Sequence, residues 1–408
     1  FTATRFAFSR FSVSKRFSST AVIVSAVRTP IGSFGGVFSS FSGSQLASLA
    51  NKEAVSRAGI SGDQIEEAFL GNVVSAGMGQ APARQSVIFA DLPQSIPCTT
   101  INKVCASGMK SIMFAAQAIQ LGQRNVVLAG GFESMSNIPH YLPQARNGLR
   151  YGNGEILDGI LKDGLWDVYN DSHMGMAAEH CAKTENFSRE QQDDFAEQSY
   201  TRAAEAHKNG AFNSEMITVE VKSRKETKQV SDDEEYHRID FDKMRKLRPA
   251  FDKEGSVTAA NASSLNDGAS SLIIMSESRA AELGLKPLAK IIGYSDAARA
   301  PIEFTIAPAD AIPIALKNAG ISISDVDFWE INEAFSVVAL ANMKRLGLDP
   351  KKVNVNGGAV ALGHPIGCSG ARIVTTLTHL LQNQDKKYGC ASICNGGGGA
   401  SAIVLEKC

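Results

Sequence analysis

Hydrophobic and polar positions follow the same pattern in two parts of the chain. The stretch "AGISGDQIEEAFLGN", from Ala58, matches "AGISISDVDFWEINE", from Ala319, at a constant offset of 261 residues. In each copy a polar turn leads into a short apolar run. Short apolar runs bounded by turn residues are typical of strands, so the pattern predicts a turn and then a strand in both copies.

A second match predicts two helices. Ser107-Gly108 corresponds to Ser369-Gly370, and each pair precedes apolar residues that are spaced to share one helix face. These residues are Ile112, Ala116 and Ile119 in the first copy and Ile373, Leu377, Leu380 and Leu381 in the second. Further on, "VVLAGG" (126–131) matches "SICNGG" (392–397), and both predict strands that end in glycines.

The order of strand, helix and strand predicts a duplicated α/β fold. We expect a parallel sheet covered by helices in each half, and a pseudo-twofold relation between the halves. The N-terminal half is predicted at 21–137 plus 267–285 and the C-terminal half at 286–408. The segment 138–266 is rich in polar loops, and we interpret it as an insertion. The strand "SSLIIMS" (270–276) then returns to the first half.

Composition narrows the class of partner. The 408 residues are 44% hydrophobic and 20% charged, with a formal net charge of -1. A positive excess that would attract nucleic acid or an anionic membrane surface is absent, as is a run of about 18 apolar residues that could span a membrane. The seven cysteines form no CxxC pair, which fits neither a disulfide framework nor a zinc ribbon. We expect a small-molecule partner, no nucleic acid, no membrane, and a reducing compartment.

The first twenty residues have a different composition from the rest. They contain Arg5, Arg10, Lys15 and Arg16, many Ser and Phe, and no acidic residue. This is typical of a mitochondrial transit peptide, which we place at 1–20 and which predicts the mitochondrial matrix. The alternative interpretation is a disordered basic tail.

Four residues with chemical potential stand where the two copies differ: Cys105, His364, Asn332 and Cys394. Cys105 lies at the predicted start of a helix, where unpaired N–H groups and the helix dipole are expected to lower its pKa and favour a nucleophilic thiolate. Taken singly, each residue also has a structural interpretation. The cysteines could be buried core thiols, and His364 and Asn332 could be turn residues.

Together the four residues point to acyl chemistry. A thiol, an imidazole, an amide, a second thiol and exposed backbone N–H groups supply a nucleophile, a base and oxyanion donors. The run "GGGG" (396–399) is not a phosphate loop, because no Gly-Lys-Ser or Gly-Lys-Thr follows it. Its alternative interpretation is a tight turn.

With these motifs the sequence resembles the thiolase family. Residues 21–408 resemble in particular its acetyl-CoA acetyltransferase branch, the mitochondrial acetoacetyl-CoA thiolases, through "INKVCASGMKS", "WEINEAF", "GGAVALGHPIGCSGARI" and "SICNGGGGASA". The resemblance implies a five-layered αβαβα fold with an inserted loop domain and a homotetramer. It also implies acetyl-CoA, acetoacetyl-CoA and CoA as ligands, without a prosthetic group.

The resemblance assigns a role to each site residue. Cys105 would be the acylated nucleophile, and His364 would activate it and then help to hold the thioester oxygen. Asn332 would fix a water in that oxyanion hole. Cys394 would be the acid/base that takes a proton from C2 of the second acetyl-CoA. The backbone N–H groups of Cys105 and Gly396 would form the other hole, where we expect glycine to be needed for close backbone approach.

The resemblance also implies binding positions in and beside the insertion. The positions matching CoA contacts or the acyl pocket are Tyr200, Arg238, Ile239, Asp240, Lys243, Ser263, His173, Met174 and Phe304. A potassium ion would be held by Tyr200 and by main-chain carbonyls of Ala259, Ala260, Ala262 and Val360. A basic cluster in the insertion would suit the CoA phosphates, although such clusters are more often solvated surface; it comprises Arg224, Lys225, Lys228, Arg238, Lys243, Arg245, Lys246 and Arg248.

One position departs from the branch pattern. Members that accept 2-methyl-branched substrates usually carry proline after Phe304, where this chain has Thr305. Three rival functions remain open at this stage: a β-ketoacyl synthase, a long-chain 3-ketoacyl thiolase, and a catalytically silent CoA-binding scaffold. Cys394 in "CNGGGG" disfavours the synthase, and the presence of all four reactive residues disfavours the scaffold.

Overall fold

The computed structural model describes residues 19–222 and 226–408. The predicted transit peptide therefore lies almost wholly outside the described residues, as do Arg224 and Lys225 of the basic cluster. The helices are α1 (Gly43–Ala58), α2 (Pro82–Phe89), α3 (Ser107–Gln120), α4 (Met174–Glu185), α5 (Arg189–Lys208), α6 (Phe241–Met244), α7 (Glu277–Glu282), α8 (Pro308–Ala319), α9 (Ser336–Leu346), α10 (Ala359–Leu362) and α11 (Ser369–Asn383). No helix among the described residues is both long and apolar enough to cross a membrane.

The strands of both halves form one continuous sheet. Their spatial order is Phe328–Ile331, Tyr388–Asn395, Gly399–Lys407, Ala289–Ala298, Ala21–Arg28, Asn266–Ser276, Val126–Ser134, Glu67–Gly71 and Cys98–Ile101, with the short strand Gly32–Ser33 paired to Asn266–Ser276. The halves meet where Val22 pairs with Lys290 and Ile23 with Ala289. On either side of this seam the matched strands follow in the same order, which confirms the duplication and the pseudo-twofold relation.

The expectation of parallel sheets is wrong in part. Glu67–Gly71 pairs in parallel with both of its neighbours, and Phe328–Ile331 pairs in parallel with Tyr388–Asn395, but the remaining pairs are antiparallel. For one of these pairs the reason is local: Tyr388–Asn395 and Gly399–Lys407 are joined only by 396–398, a hairpin connection too short for a parallel crossover.

The N-terminal strands and the C-terminal strands of this sheet form two separate layers. Helices lie outside each layer and between them, so the molecule has the layer order αβαβα. Helices α1 and α2 pack outside the N-terminal strands, and α8 and α9 pack outside the C-terminal strands. Between them, α3 and α11 share one core with strands of both halves. Neighbouring strand residues such as Val127 and Leu128 point into different layers, because side chains alternate across a sheet. Nearly every residue of the central strands is therefore buried.

The two central helices begin in backbone contact. A Cβ added to Gly108 would lie 2.7 Å from the nitrogen of Ala371, and one added to Gly370 would lie 2.6 Å from the nitrogen of Met109. The matched Ser-Gly pairs thus face each other at the seam between the halves. This contact brings the start of α3 next to the loop that precedes α11.

The insertion packs against the C-terminal half and does not form a separate core. Helix α4 shares a buried cluster with Phe304 and α9, and α5 shares one with α10. Three short hairpins complete it: His140–Tyr141 with Leu157–Asp158, Trp166–Asp167 with Ser172–His173, and Val219–Lys222 with Thr227–Val230. The insertion consequently forms one wall of a cavity over the starts of α3 and α11.

Candidate active site

Cys105 stands on a strained turn between Cys98–Ile101 and α3. Val104 has φ 48°, in the left-handed region that β-branched residues rarely adopt. Its N–H donates to Oδ1 of Asn102 at 2.9 Å, and its carbonyl accepts from the backbone and hydroxyl of Ser107 at 3.0 and 2.6 Å. These bonds hold a conformation that the chain would not adopt alone, and they direct Cys105 into the cavity.

Two backbone N–H groups lie beside the sulfur of Cys105. They belong to Gly396, in the glycine hairpin, and to Cys105 itself, and both favour the thiolate. The surrounding protein does not itself demand glycine at 396, since a Cβ there would meet no described atom nearer than 3.5 Å, and the need for glycine beside the acyl oxygen stays a prediction. Glycine is required instead at Gly397 and Gly398, whose φ values are 83° and 89°. "GGGG" is therefore a tight turn that also supplies an N–H donor.

The resting form of Cys105 is the thiol. Burial raises its pKa to about 11, against the two N–H groups that lower it, and the nearby Glu133 raises it further. The expected net lowering by the helix start is wrong, because desolvation of a thiolate outweighs these donors. Nucleophilic attack therefore needs a base close to the sulfur.

His364 has the form that such a base requires. Burial, and then the positive charge of Arg372, lower its pKa to about 3, so the ring is neutral near pH 7. Its Nδ1 lies 2.6 Å from Oγ of Ser369, whose own hydrogen is donated to the carbonyl of Pro365 at 3.0 Å. Nδ1 must then carry the proton, which leaves Nε2 as a lone pair. Nε2 is buried and has no partner among the described residues.

Cys105 and His364 line one cavity of about 450 Å³. Of the predicted positions, His173, Met174, Ala259, Ala262, Ser263, Phe304 and Gly396 also line it. Its walls are mostly apolar, with additional contributions from Leu165, Phe251 and Phe335. His173 stacks on Phe251 with ring centroids 4.7 Å apart and caps α4 by accepting from the N–H of Gly175. The cavity is suited to an acyl group and an uncharged arm, with the reactive pair in its lining.

Cys394 lies close to Cys105. It is fully buried in Tyr388–Asn395 and packs with Met174 and Phe304. Burial, and then the proximity of Cys105, raise its pKa well above the usual value. Cys394 is not among the lining residues of the cavity. The two thiols are therefore neighbours, as the duplication predicts, and both are protonated at rest.

Asn332 follows the strand Phe328–Ile331. It is 1% exposed, and both polar atoms of its amide lack a partner among the described residues. Buried amides of this kind are normally paired with protein or with ordered water, so this side chain is suited to hold a small polar molecule. Asn332 does not itself line the cavity.

Five predicted CoA positions lie outside the cavity walls. Arg238 and Lys243 extend into solvent, with side chains 63% and 81% exposed, and they pair with Glu235 and Asp240. Ile239, between them, is half-buried, while Tyr200 is buried beneath α6. The structure thus separates an apolar cavity near Cys105 from an exposed charged segment, 235–243, which we call the charged rim.

The predicted potassium positions fall into two neighbouring groups. Tyr200, Ala260 and Val360 share one buried cluster, whereas Ala259 and Ala262 line the cavity. A cluster of three or more His, Cys, Asp or Glu suited to a metal ion is absent from residues 19–222 and 226–408. A potassium site made of main-chain carbonyl oxygens would contain no such cluster of side chains.

Sequence reasoning missed the residues that orient the reactive groups. Glu133 is buried and accepts from the N–H groups of Val73 and Gly367 at 2.9 and 3.0 Å, and burial raises its pKa to about 8. No motif marks it. Val104 was also missed, although it lies inside a quoted motif. Ser369 belonged to the repeated pair, but its bond to His364 could not be read from the repeat.

The sequence matches two family domains in order. "Thiolase, N-terminal domain" matches residues 21–278, and "Thiolase, C-terminal domain" matches residues 285–407. The chain belongs to the thiolase family. The αβαβα layers described above are the thiolase fold, and the Cys105–His364 pair stands at the junction of the two thiolase domains.

Individual thiolases cover nearly the whole chain. A "Probable acetyl-CoA acetyltransferase" of Dictyostelium discoideum is 60% identical over 389 residues, or 95% of this chain and 94% of that one. The mitochondrial acetyl-CoA acetyltransferase of Bos taurus is 53% identical, covering 98% of this chain and 94% of its own length. Relatives whose names place them in mitochondria and one named as cytosolic match at nearly equal identity.

A solved thiolase has the same architecture. The crystal structure of the Ascaris suum thiolase Acat5 in complex with coenzyme A superposes with a TM-score of 0.91 at 48% identity, covering 95% of this chain and all of that one. Since identity is high across the full length, the thiolase fold and the acyltransferase class hold for this chain.

Proposed function

We propose that this thiolase is an acetyl-CoA C-acetyltransferase, which condenses two acetyl-CoA reversibly to acetoacetyl-CoA and CoA through an acetyl-Cys105 intermediate. The observation that carries the proposal is the Cys105–His364 pair on one cavity, with the N–H of Gly396 at the sulfur. The names of its close relatives agree with this activity.

In the first half-reaction, Nε2 of His364 takes the proton of Cys105, and the thiolate attacks the acetyl carbon of acetyl-CoA. Negative charge develops on the acetyl oxygen, where the N–H groups of Cys105 and Gly396 stabilise it. The bond to the CoA sulfur then breaks. Cys394 gives its proton to that sulfur, so CoA leaves as a thiol and Cys394 remains as a thiolate.

In the second half-reaction, the Cys394 thiolate takes a proton from C2 of a second acetyl-CoA. The enolate oxygen is stabilised by the proton on Nε2 of His364 and by a water held at Asn332. The carbanion attacks the acetyl carbon, acetoacetyl-CoA forms, and the Cys105 thiolate regains its proton from His364. Cys105, His364 and Cys394 then hold the protons they started with. Because an acetyl-enzyme forms and CoA leaves before the second acetyl-CoA reacts, the cycle is ping-pong.

Coenzyme A would enter from the charged rim. Arg238 and Lys243 would pair with its phosphates, which their exposure of 63% and 81% supports, and Ser263, His173, Met174 and Phe304, which line the cavity, would surround the arm and acyl group. Tyr200, Ile239 and Asp240 would complete the contacts by resemblance.

The division of the chain into a loop domain, 138–266, and two thiolase halves is also part of this proposal.

Potassium fits the residues present. The carbonyl oxygens of Ala259, Ala260 and Ala262 accept no backbone hydrogen bond among the described residues. Burial raises the pKa of Tyr200, so its phenol would be a neutral oxygen ligand. Carbonyl oxygens of this kind, with Val360, suit a monovalent cation, which would order the cavity wall. Replacing potassium by sodium should lower both activity and melting temperature.

A homotetramer is supported by an exposed apolar surface on the insertion. The residues concerned are Leu142, Leu149, Tyr151, Ile156, Val168 and Tyr169, each at least 41% exposed. Where exposed apolar side chains form one patch, association typically buries it. Light scattering should give the mass of four chains, and charged replacements at Ile156 and Val168 should reduce it.

The mitochondrial matrix is supported by the composition of residues 1–20 and by the mitochondrial relatives. Import of the full chain into isolated mitochondria, compared with a chain lacking residues 1–20, tests this location. Uptake of both chains, or of neither, would contradict it.

Intact-mass measurement tests the activity. Wild type mixed with acetyl-CoA should gain one acetyl group, mapping to Cys105. The matched control is Cys98→Ala, which removes a half-buried thiol outside the cavity and should acetylate normally. Cys105→Ala should neither acetylate nor turn over, and substantial turnover in it would refute the nucleophile assignment.

A further inference from the structure

Asn266 connects three segments of the active-site region. It is fully buried at the start of the strand Asn266–Ser276. Its Oδ1 accepts from the backbone N–H of His364 at 2.9 Å. Its Nδ2 donates to the carbonyl of Gly32 at 3.0 Å and to Oε1 of Glu235 at 3.3 Å. The two ends of one amide thus face the base and the charged rim.

The His364 loop is built around this amide. Gly363 has φ 103°, and a Cβ on it would lie 2.4 Å from Cγ of Asn266. The amide therefore fills the space that a side chain at 363 would occupy. The main chain of His364 is fixed by Asn266, and its ring is fixed by Ser369, so the two bonds together determine where Nε2 points.

The rim segment is fixed from two sides. Before it, the fully buried Arg28 pairs with both carboxylate oxygens of Asp233 at 2.8 and 3.0 Å. Within it, Glu235 accepts from Asn266 and pairs with Arg238 at 3.5 Å. Arg28 holds the segment to the sheet, and Asn266 sets the position of Glu235 and thereby of Arg238.

We propose that Asn266 is a positioning residue with two separable functions: Oδ1 places the catalytic base His364, and Nδ2 places the Glu235–Arg238 segment that binds coenzyme A. The proposal rests on the proposed function, because it uses His364 as the base and Arg238 as a CoA contact. The two functions predict different kinetic effects for different replacements.

Asn266→Ala removes both ends of the amide. A misplaced base should lower kcat and the rate of Cys105 alkylation by iodoacetamide roughly 10- to 100-fold, since positioning errors near 1 Å have effects of this size. Iodoacetamide does not use the CoA rim, so its rate reports His364 alone.

Asn266→Asp keeps an oxygen for the N–H of His364 but loses the donor and repels Glu235. We expect kcat and alkylation near wild type, with KM for acetyl-CoA raised about 10-fold, the equivalent of one lost polar contact. Glu235→Ala, which leaves the His364 contact intact, should likewise raise KM without lowering kcat.

Asn51→Ala is the matched control. Asn51 is fully buried and accepts from the hydroxyl of Ser271, in the same strand as Asn266, at 2.7 Å, and neither residue lines the cavity. It should lower the melting temperature while leaving kcat, KM and alkylation unchanged.

Equal losses of kcat in the Ala and Asp variants, with unchanged KM, would overturn the proposal. If Asn266→Ala does not fold, unchanged KM in Glu235→Ala overturns the rim function, and a tenfold loss of alkylation in a folded Asn266→Asp overturns the base function. Failure of wild type to acetylate Cys105 would instead refute the proposed function.

Discussion

Ser369→Ala should impair catalysis without touching any reacting atom. The Ser369 hydroxyl accepts the Nδ1 proton of His364 at 2.6 Å in a site where Ser369 is 1% exposed. Without it, the buried Nδ1–H is unpaired, and the ring is free to move its proton to Nε2. The Nε2–H tautomer cannot take a proton from Cys105.

The magnitude follows from the cost of that unpaired donor. Leaving a buried N–H without a partner costs about 1 to 3 kcal/mol, which corresponds to roughly 5- to 150-fold in rate. The loss should appear in single-turnover acetylation of Cys105, measured by quenched-flow mass spectrometry, and equally in alkylation by iodoacetamide. KM for acetyl-CoA should change little, because Ser369 is not among the lining residues of the cavity.

Ser111→Ala is the matched control, since Ser111 is buried in α3 and donates to the carbonyl of Gly130 at 2.6 Å. It should lower stability alone. Acetylation of Ser369→Ala at the wild-type rate would refute the argument that this hydroxyl sets the tautomer of His364.

Three further predictions follow from the same geometry. Cys394→Ala should still acetylate Cys105, with slower release of CoA, but should neither condense nor exchange the methyl protons of acetyl-CoA with deuterium, a loss of about 10,000-fold. Condensation near the wild-type rate would show that this thiol only packs. Thr305→Pro should change the ratio of the rates at which 2-methylacetoacetyl-CoA and acetoacetyl-CoA are cleaved only modestly, because Thr305 is buried and its hydroxyl faces Cys181 instead of the cavity. Cleavage of the 2-methyl substrate by the variant but not by wild type would contradict this. In urea unfolding, the free energy of unfolding of wild type should fall relative to that of His364→Gln by about 1.4 kcal/mol per pH unit below pH 6.5. The reason is that the unfolded histidine binds a proton that the folded one, with a pKa of about 3, does not. Parallel curves of unfolding free energy against pH between pH 7 and 5 would exclude a neutral buried ring.

Local patterns predicted the elements well. The starts of α3 and α11 at Ser107 and Ser369 follow from the repeated pair, since helix periodicity and the residues that begin a helix are encoded within a few positions. The duplication could be read for the same reason. The matched strands also predicted that the reactive residues lie close together where the two halves meet.

Properties that depend on the assembled surroundings could not be read in this way. Strand direction was wrong where a three-residue connection forced an antiparallel hairpin. The pKa of Cys105 was expected to fall, but burial raises it, and burial depends on which segments cover the sulfur. The strain at Val104 and the bond from His364 to Ser369 arise from tertiary contacts, for which sequence spacing provides no measure.

The contact between α3 and α11 also fixes when the site can exist during synthesis. Cys105 emerges from the ribosome roughly 290 residues before Gly396, an interval of about 15 to 60 s at about 5 to 20 residues per second. Throughout that time its thiol lacks both the base His364 and the second N–H donor at Gly396, because both arrive with the last part of the chain. A nascent or prematurely terminated polypeptide therefore lacks the groups that activate Cys105 toward acetyl-CoA, however well its first half has folded, and the complete site forms only when the closing segment has docked.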